Sequence, residues 1–223
     1  MKQIPLPIAT EVPRTFDNFL AGANRAVLEH LAALAPGAPP VYLWGPTGSG
    51  KTHLLRAVAA RAQHGDGRVG WFGAADPAPW ARGEAWSVVV LDDCEALDAA
   101  QQQQAFALFV ETAPRQVAIV AAGRMPPVDL PLREDLRTRL GWGHVFALRP
   151  LADAEVRSAL RLEAERRGLF LSDDVMDFLL NRFARDLKHL MGLLERLDTY
   201  ALASKRSVTV PLLKDMLADG AER

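Results

Sequence analysis

The stretch Gly45, Pro46, Thr47, Gly48, Ser49, Gly50, Lys51, Thr52 satisfies the spacing G-x-x-x-x-G-K-[ST] in full. Its residue types suit polyphosphate chemistry. Glycines let backbone N–H groups converge on phosphate oxygens with no Cβ in the way, the lysine reaches the β- and γ-phosphates, and the threonine hydroxyl ligates Mg2+. An acidic feature lies downstream, where the β-branched run VVVLDD ends in Asp92 and Asp93. Asp92 is placed to hold Mg2+ directly or through water. Asp93 is placed to orient an attacking water, one methylene shorter than the glutamate that many ATPases carry there. The competing reading makes both of them solvated carboxylates that cap the next helix. The expected ligands are therefore ADP or ATP with Mg2+. Beyond that ion no metal site is expected, because the five histidines are scattered and Cys94 is the single cysteine.

A loop of this kind works between a buried strand and a helix. VYLWG before it is a short apolar run ending in glycine, and KTHLLRAVAARAQ after it has helical character. RVGWFGA, SVVVLDD, VAIVAAG and HVFALRP supply four more strands, and the continuous run in SVVVLDD predicts burial on both faces. ANRAVLEHLAAL and EALDAAQQQQAFALFVETA read as helices. Strands alternating with helices predict an α/β fold with a five-stranded parallel sheet covered on both faces. After Pro150 the strand signal stops. DAEVRSALRLEAERRG, SDDVMDFLLNRFA, RDLKHLMGLLERLDTYALAS and VPLLKDMLA read as helices, with Asp153 and Ser172 as N-caps and Gly168 as a C-cap. The expected organisation is an extended tail at 1–14, a nucleotide-binding α/β domain at 15–150 and a small all-helical lid at 151–223.

Bulk composition removes some functions from consideration. A formal net charge of -1 gives no global positive field for nucleic acid, though a local basic patch stays open. Hydrophobic residues at 49% and charged residues at 24% match a soluble globular protein. The N-terminus MKQIPLPIATEVPR has no apolar run, and no stretch approaches the ~20 apolar residues of a membrane span. A soluble, cytoplasmic protein with no membrane partner is expected.

TFDNFLAGANRAVL, YLWGPTGSGKTHLL, VVVLDD and LRTRLGWG resemble consecutive boxes of the DnaA family of AAA+ P-loop NTPases. The resemblance runs through the helical lid and covers nearly the whole chain. DnaA continues into a helix-turn-helix domain that reads its origin boxes, whereas this sequence ends at Arg223 after the lid. A core with those boundaries is similar to the Hda branch, the regulatory inactivators of DnaA. QIPLPI (Gln3, Ile4, Pro5, Leu6, Pro7, Ile8) is similar to the motif with which that branch docks on the replicative sliding clamp, the β subunit of DNA polymerase III. Ile4 and Pro5 depart from its usual Q-L-x-L start. A plain disordered tail is the competing reading.

The resemblance implies roles residue by residue. Arg139 matches the family's arginine finger, which acts in trans on the nucleotide of a neighbouring subunit, here ATP-bound DnaA. Arg133 and Arg137 lie close by, so a structural arginine is the competing reading. Lys188, in DLKHL, falls where the lid carries a phosphate-sensing arginine, and reads equally as a solvated helix lysine. Gly123, at the end of VAIVAAG, stands where relatives often have a polar residue. With Asp93 in place of glutamate, it implies weak intrinsic hydrolysis and a nucleotide, ADP in this family, that fixes the chain's shape. The resemblance thus implies a negative regulator of replication initiation that stimulates hydrolysis by DnaA. Duplex DNA near the clamp and self-association remain open as further contacts. An autonomous AAA+ ATPase such as a helicase loader is the alternative. A small-molecule kinase fits the lid and the RLGWG box poorly, and a full initiator would need a DNA-reading domain.

Overall fold

A computed structural model of the chain describes residues 13–81, 85–183 and 187–221. Strands β1 (Val41–Trp44), β2 (Arg68–Gly73), β3 (Trp86–Asp92), β4 (Ala118–Gly123) and β5 (His144–Ala147) form one sheet. Their order is β2-β3-β4-β1-β5, and every neighbouring pair is parallel. The fold is the AAA+ P-loop NTPase core with a helical lid, as the motifs predict. Parallel strands need crossovers, and the helices that make them cover both faces. Val41, Leu43, Val88, Val90 and Val120 bury one face against Val27 and Leu31 of α1 (Arg25–Ala32) and Leu54, Leu55 and Val58 of α2 (Lys51–His64). Tyr42, Val89, Leu91, Ile119 and Ala121 bury the other against Leu108 and Phe109 of α3 (Ala99–Thr112) and Leu136 and Leu140 of α4 (Glu134–Gly141). Alternation along each strand sends successive side chains to opposite cores, which is why the continuous apolar run of β3 is buried on both sides.

Two helix starts differ from the sequence expectation. The helix expected from Glu95 begins at Ala99, because Asp98 and Gln101 form a reciprocal cap. Asp98 Oδ1 accepts from Gln101 N–H at 2.8 Å, and Gln101 Oε1 accepts from Asp98 N–H at 2.8 Å. Residues Cys94–Ala96 instead make a single 3-10 turn, entered through Asp93 at φ 51°. In the second case Asp153 is the first helical residue, not the cap. Ala152 precedes it, and its N–H donates to Glu155 Oε2 at 2.7 Å. Ser172 does cap its helix, accepting from Val175 N–H, and Gly168 takes a left-handed φ of 69° just past the preceding helix.

Helices α5 (Asp153–Arg166), α6 (Asp173–Arg182), α7 (Leu187–Ser204) and α8 (Val210–Ala221) have a core of their own. Val156, Leu160, Val175, Leu179, Leu194, Leu197 and Leu213 fill it, and among the described residues nothing before Leu151 enters it. The division near Pro150 remains our proposed domain boundary. Asn24, 3% exposed, ties the approach to that boundary back to the 3-10 turn before α1. Its Nδ2 donates to Arg149 O and its Oδ1 accepts from Arg149 N–H, both at 2.8 Å, so one amide satisfies both backbone groups of one residue. Among the described residues no helix is long and apolar enough to cross a membrane.

Candidate nucleotide-binding site

The carboxyl ends of β1, β3 and β4 lie side by side, with Trp44 paired to Gly123 and Leu91 to Ala121. Open parallel sheets bind ligands at that edge. The loop Gly45–Gly50 leaves β1 there and leads into the first turn of α2, whose backbone N–H groups and dipole favour anions. Gly45 sits at φ 153°, and a Cβ on it would fall 2.5 Å from Leu148 O, so only glycine fits where the chain leaving β5 crosses the loop.

Lys51, 8% exposed, donates from Nζ to Gly45 O at 2.7 Å and to Pro46 O at 2.9 Å. Burial lowers its ammonium pKa, while the carboxylates of Glu95, Asp92 and Asp93 push it back up in that order. Ser49 Oγ is buried in the same loop with no hydrogen-bond partner among the described residues. A buried cation resting on loop carbonyls and an orphaned hydroxyl fit a phosphate chain, whose oxygens would satisfy both. Thr52 Oγ1 donates to Asp92 Oδ2 at 2.9 Å, which brings the two expected Mg2+ ligands together. Asp92 also accepts from Asp93 N–H at 3.0 Å, and burial raises its pKa despite the Thr52 bond that opposes it. A buried carboxylate that is costly to ionise alone suits a divalent cation. Asp93 is exposed and in a left-handed conformation.

Gly123 lies in the site, and its neighbours explain why it is glycine. A Cβ there would fall 2.1 Å from Tyr42 Oη and 2.9 Å from Glu95 Oε2. Tyr42 is fully buried and its hydroxyl donates to Met125 O at 3.0 Å, so it cannot swing away. Gly123→Ala is therefore expected to cost about 2–3 kcal/mol in urea unfolding, as overpacking does. Tyr42→Phe in the same chain should recover part of that loss by removing the closest atom. Equal stability of Gly123→Ala and the intact protein would contradict this packing.

His53, in the first turn of α2, holds a second segment against the site. Its Nε2–H donates to Thr15 O at 2.9 Å and its ring lies 5.2 Å from that of Phe19. The segment 15–19 is thereby held against the start of α2. Burial is the main cause that lowers the His53 pKa, the Thr15 bond opposes it, and Arg14 adds to the lowering. The folded pKa lies below the unfolded 6.5, so the unfolded chain takes up a proton first as pH falls. Stability is then full above pH 6.5 and declines as pH falls from there through the lowered folded value. His30 acts in the same direction, lowered by burial and by His144. Thermal melts from about pH 7.5 to 5.5 are expected to show a falling midpoint, with a shallower slope in His53→Gln.

Arg139 lies in the last turn of α4, its guanidinium 5.8 Å from the ring centre of Trp142. Trp142 is 72% exposed, and both residues line an open groove of about 830 Å³ with Phe106, Arg133, Asp135 and Thr138. Arg133 pairs with Asp135 at 2.6 Å, and Arg137 donates to Val128 O at 3.2 Å. Among the described residues Arg139 has no carboxylate partner. Lys188 lies in the first turn of α7, but its side chain and the tail residues Gln3, Ile4, Pro5, Leu6, Pro7 and Ile8 fall outside the described ones. Sequence reasoning missed Glu95, whose carboxylate reaches into the site from the 3-10 turn. The Asp98-x-x-Gln101 cap is the signal that would have separated that turn from the helix.

Residues 153–217 match the Hda lid-domain family, and residues 11–74 match the bacterial DnaA ATPase-domain family. The chain is similar to an uncharacterised protein of Haemophilus influenzae, 31% identical over 233 residues, covering 97% of this chain and 98% of that one. Among solved structures it is similar to domain III of the Thermotoga maritima replication initiation protein DnaA, with a TM-score of 0.76 at 23% identity, covering 92% of this chain and 96% of that one. It is also similar to AMPPCP-bound DnaA from Aquifex aeolicus, with a TM-score of 0.67 at 23% identity, covering 82% of this chain and 64% of that one.

Proposed function

The chain belongs to the DnaA/Hda-like AAA+ proteins, and from that premise we propose that it is a negative regulator of replication initiation that stimulates ATP hydrolysis on DnaA. In this reading its own site holds ADP, or ATP, with Mg2+. The loop amides, Lys51 and the Ser49 hydroxyl bind the phosphates, and Thr52 and Asp92 hold the cation. Bound Mg2+ supplies charge neutralisation between phosphate oxygens. The segment held by His53 lies beside the cradle. Lys188, in the lid, is the further phosphate contact we assign by resemblance. Asp93 orients water weakly, because it is one methylene shorter than a glutamate, and intrinsic turnover is expected to be slow.

The observation that carries the regulatory reading is Arg139. Of the three arginines in its helix region it is the one without an internal carboxylate or carbonyl partner among the described residues, and it stands beside an exposed tryptophan at an open groove. A group that must reach a neighbour's terminal phosphate has to be uncommitted in its own chain. The neighbour is DnaA carrying ATP. The tail residues Gln3 to Ile8 dock on the sliding clamp and raise the local concentration of the chain near DNA-bound DnaA. The experiment that tests this adds the chain to ATP–DnaA with clamp loaded on DNA and follows the lifetime of the bound ATP. The lifetime should shorten with the intact chain, and Gln3→Ala with Leu6→Ala should lose most of the effect at low protein concentration. An unchanged lifetime at saturating chain would contradict the proposal.

A further inference from the structure

Arg133 pairs with the Asp135 carboxylate and Arg137 donates to Val128 O. Arg139 takes neither kind of partner among the described residues. Its guanidinium instead stands 5.8 Å from the ring centre of Trp142. The two residues are three apart at the end of α4, a spacing that makes side chains neighbours on one helix face, and Trp142 N–H donates to Arg139 O at 3.4 Å. The backbone on either side of the ring is seated. Leu140 is buried, and a Cβ on Gly143 would fall 1.9 Å from Pro40 O. His144 N–H donates to that same oxygen at 2.8 Å. Trp142 itself is 72% exposed at the open groove, so its indole contributes little to the core. A cation over such a ring gains roughly two- to fivefold in equilibrium where water reaches it, and about thirtyfold once the pair is desolvated.

We propose that Trp142 is the positioning residue for Arg139. Its ring holds the guanidinium loosely in the free chain, and firmly once a neighbouring chain covers the groove and drives water from the pair. This rests on the arginine-finger reading above. The finger must bring its fork within hydrogen-bond reach of a phosphate oxygen as charge develops there, and a misplacement of about 1 Å costs on the order of 100-fold. A free arginine side chain samples many rotamers, and a ring against the guanidinium removes many of them. The ring takes the flat face of the guanidinium and leaves its N–H edge open to phosphate. A carboxylate partner does the reverse, because it occupies the edge that phosphate needs, as Asp135 does on Arg133. Trp142 therefore acts through Arg139 and touches neither the phosphate nor the attacking water.

Two variants of the full chain separate positioning from docking. Trp142→Phe keeps an aromatic face, and Trp142→Leu keeps apolar bulk without one. The first arm uses the chain without DnaA and follows the NMR resonance of the Arg139 Nε–H, assigned by its loss in Arg139→Ala. Ring current should shift it upfield in the intact chain, and Trp142→Leu should remove that shift. Melting midpoints of both variants should stay within about 2 °C of the intact protein. The second arm follows hydrolysis of ATP bound to DnaA with DNA-loaded clamp, over a range of chain concentrations. Trp142→Leu should lower the maximal rate roughly five- to thirtyfold and change the half-saturating concentration less than about threefold, while Trp142→Phe keeps the maximal rate within about threefold. A raised half-saturating concentration at an unchanged maximal rate would make Trp142 a docking contact and overturn the proposal. An Arg139 resonance that Trp142→Leu leaves unmoved, or equal losses in the two variants, would overturn it as well. No stimulation by the intact chain, or full stimulation by Arg139→Ala, would instead defeat the arginine-finger reading and the positioning role with it. The resonance, read without DnaA, tells the two failures apart.

Discussion

Arg139→Ala is expected to lower the stimulation of DnaA-bound ATP hydrolysis by about 10^3-fold, with the chain's fold and nucleotide affinity unchanged. Arginine fingers of this kind are worth roughly 10^3 to 10^5 in rate, because they meet charge that develops only in the transition state. The helix that carries Arg139 is anchored by Leu136 and Leu140, 0% and 1% exposed, so the guanidinium projects from a rigid base. Truncation at 139 removes no core contact and only the ring of Trp142 loses its cation. Arg139→Lys should recover little, since an ammonium lacks the planar fork. Arg133→Ala is the control: its side chain is spent on Asp135, and a loss of about threefold at most is expected. Single-turnover hydrolysis on DnaA, with thermal melts of each variant, separates these outcomes. Equal losses for Arg133→Ala and Arg139→Ala would contradict the assignment.

Lys51→Ala is expected to weaken nucleotide binding by about 100-fold or more. The ammonium is buried and already held in the loop by Gly45 O and Pro46 O, so little ordering cost remains when phosphate arrives. Charge-assisted hydrogen bonds of this kind each contribute roughly 1.5–3 kcal/mol. The apo protein should lose little stability, because burial disfavours the charged form of the lysine it gives up. Titration calorimetry with ADP and Mg2+ measures the affinity directly. The midpoint rise that saturating ADP gives the intact protein should shrink in parallel. Undiminished affinity in Lys51→Ala would remove the cradle from the account.

The sheet and its helices were legible because each strand is a short apolar run next to a turn signal, and the loop spacing marks its own context. The order of the strands was not, since order depends on how crossovers pack. The helix at 99–112 was misjudged at its start because Glu95, Ala96 and Leu97 continue a helical pattern that only the Asp98–Gln101 cap interrupts. That one turn moved Glu95 from a helix face into the site. Gly123 was read as a missing side chain, whereas Tyr42 and Glu95 occupy its space from two other elements. No spacing rule joins residues 42, 95 and 123; the parallel register of β1 and β4 brings the first and last together, and the 3-10 turn after β3 brings Glu95 to them. Arg137 and Arg139 of LRTRLGWG, and Arg133 three residues before it, could not be ranked from sequence, because the difference lies in which partners Arg133 and Arg137 find. The pairing of Asn24 with Arg149 is equally invisible in sequence, because the two residues are 125 positions apart.

The central claim is that the chain's principal chemistry is done in a partner's site. The most direct measurement follows labelled ATP prebound to DnaA through one turnover, in the presence of DNA-loaded clamp, with this chain loaded with ADP. The account predicts that the intact chain accelerates conversion to ADP and that the acceleration disappears when the clamp is omitted. No acceleration, together with sustained ATP turnover by the chain alone, would contradict it and make an autonomous ATPase the better account.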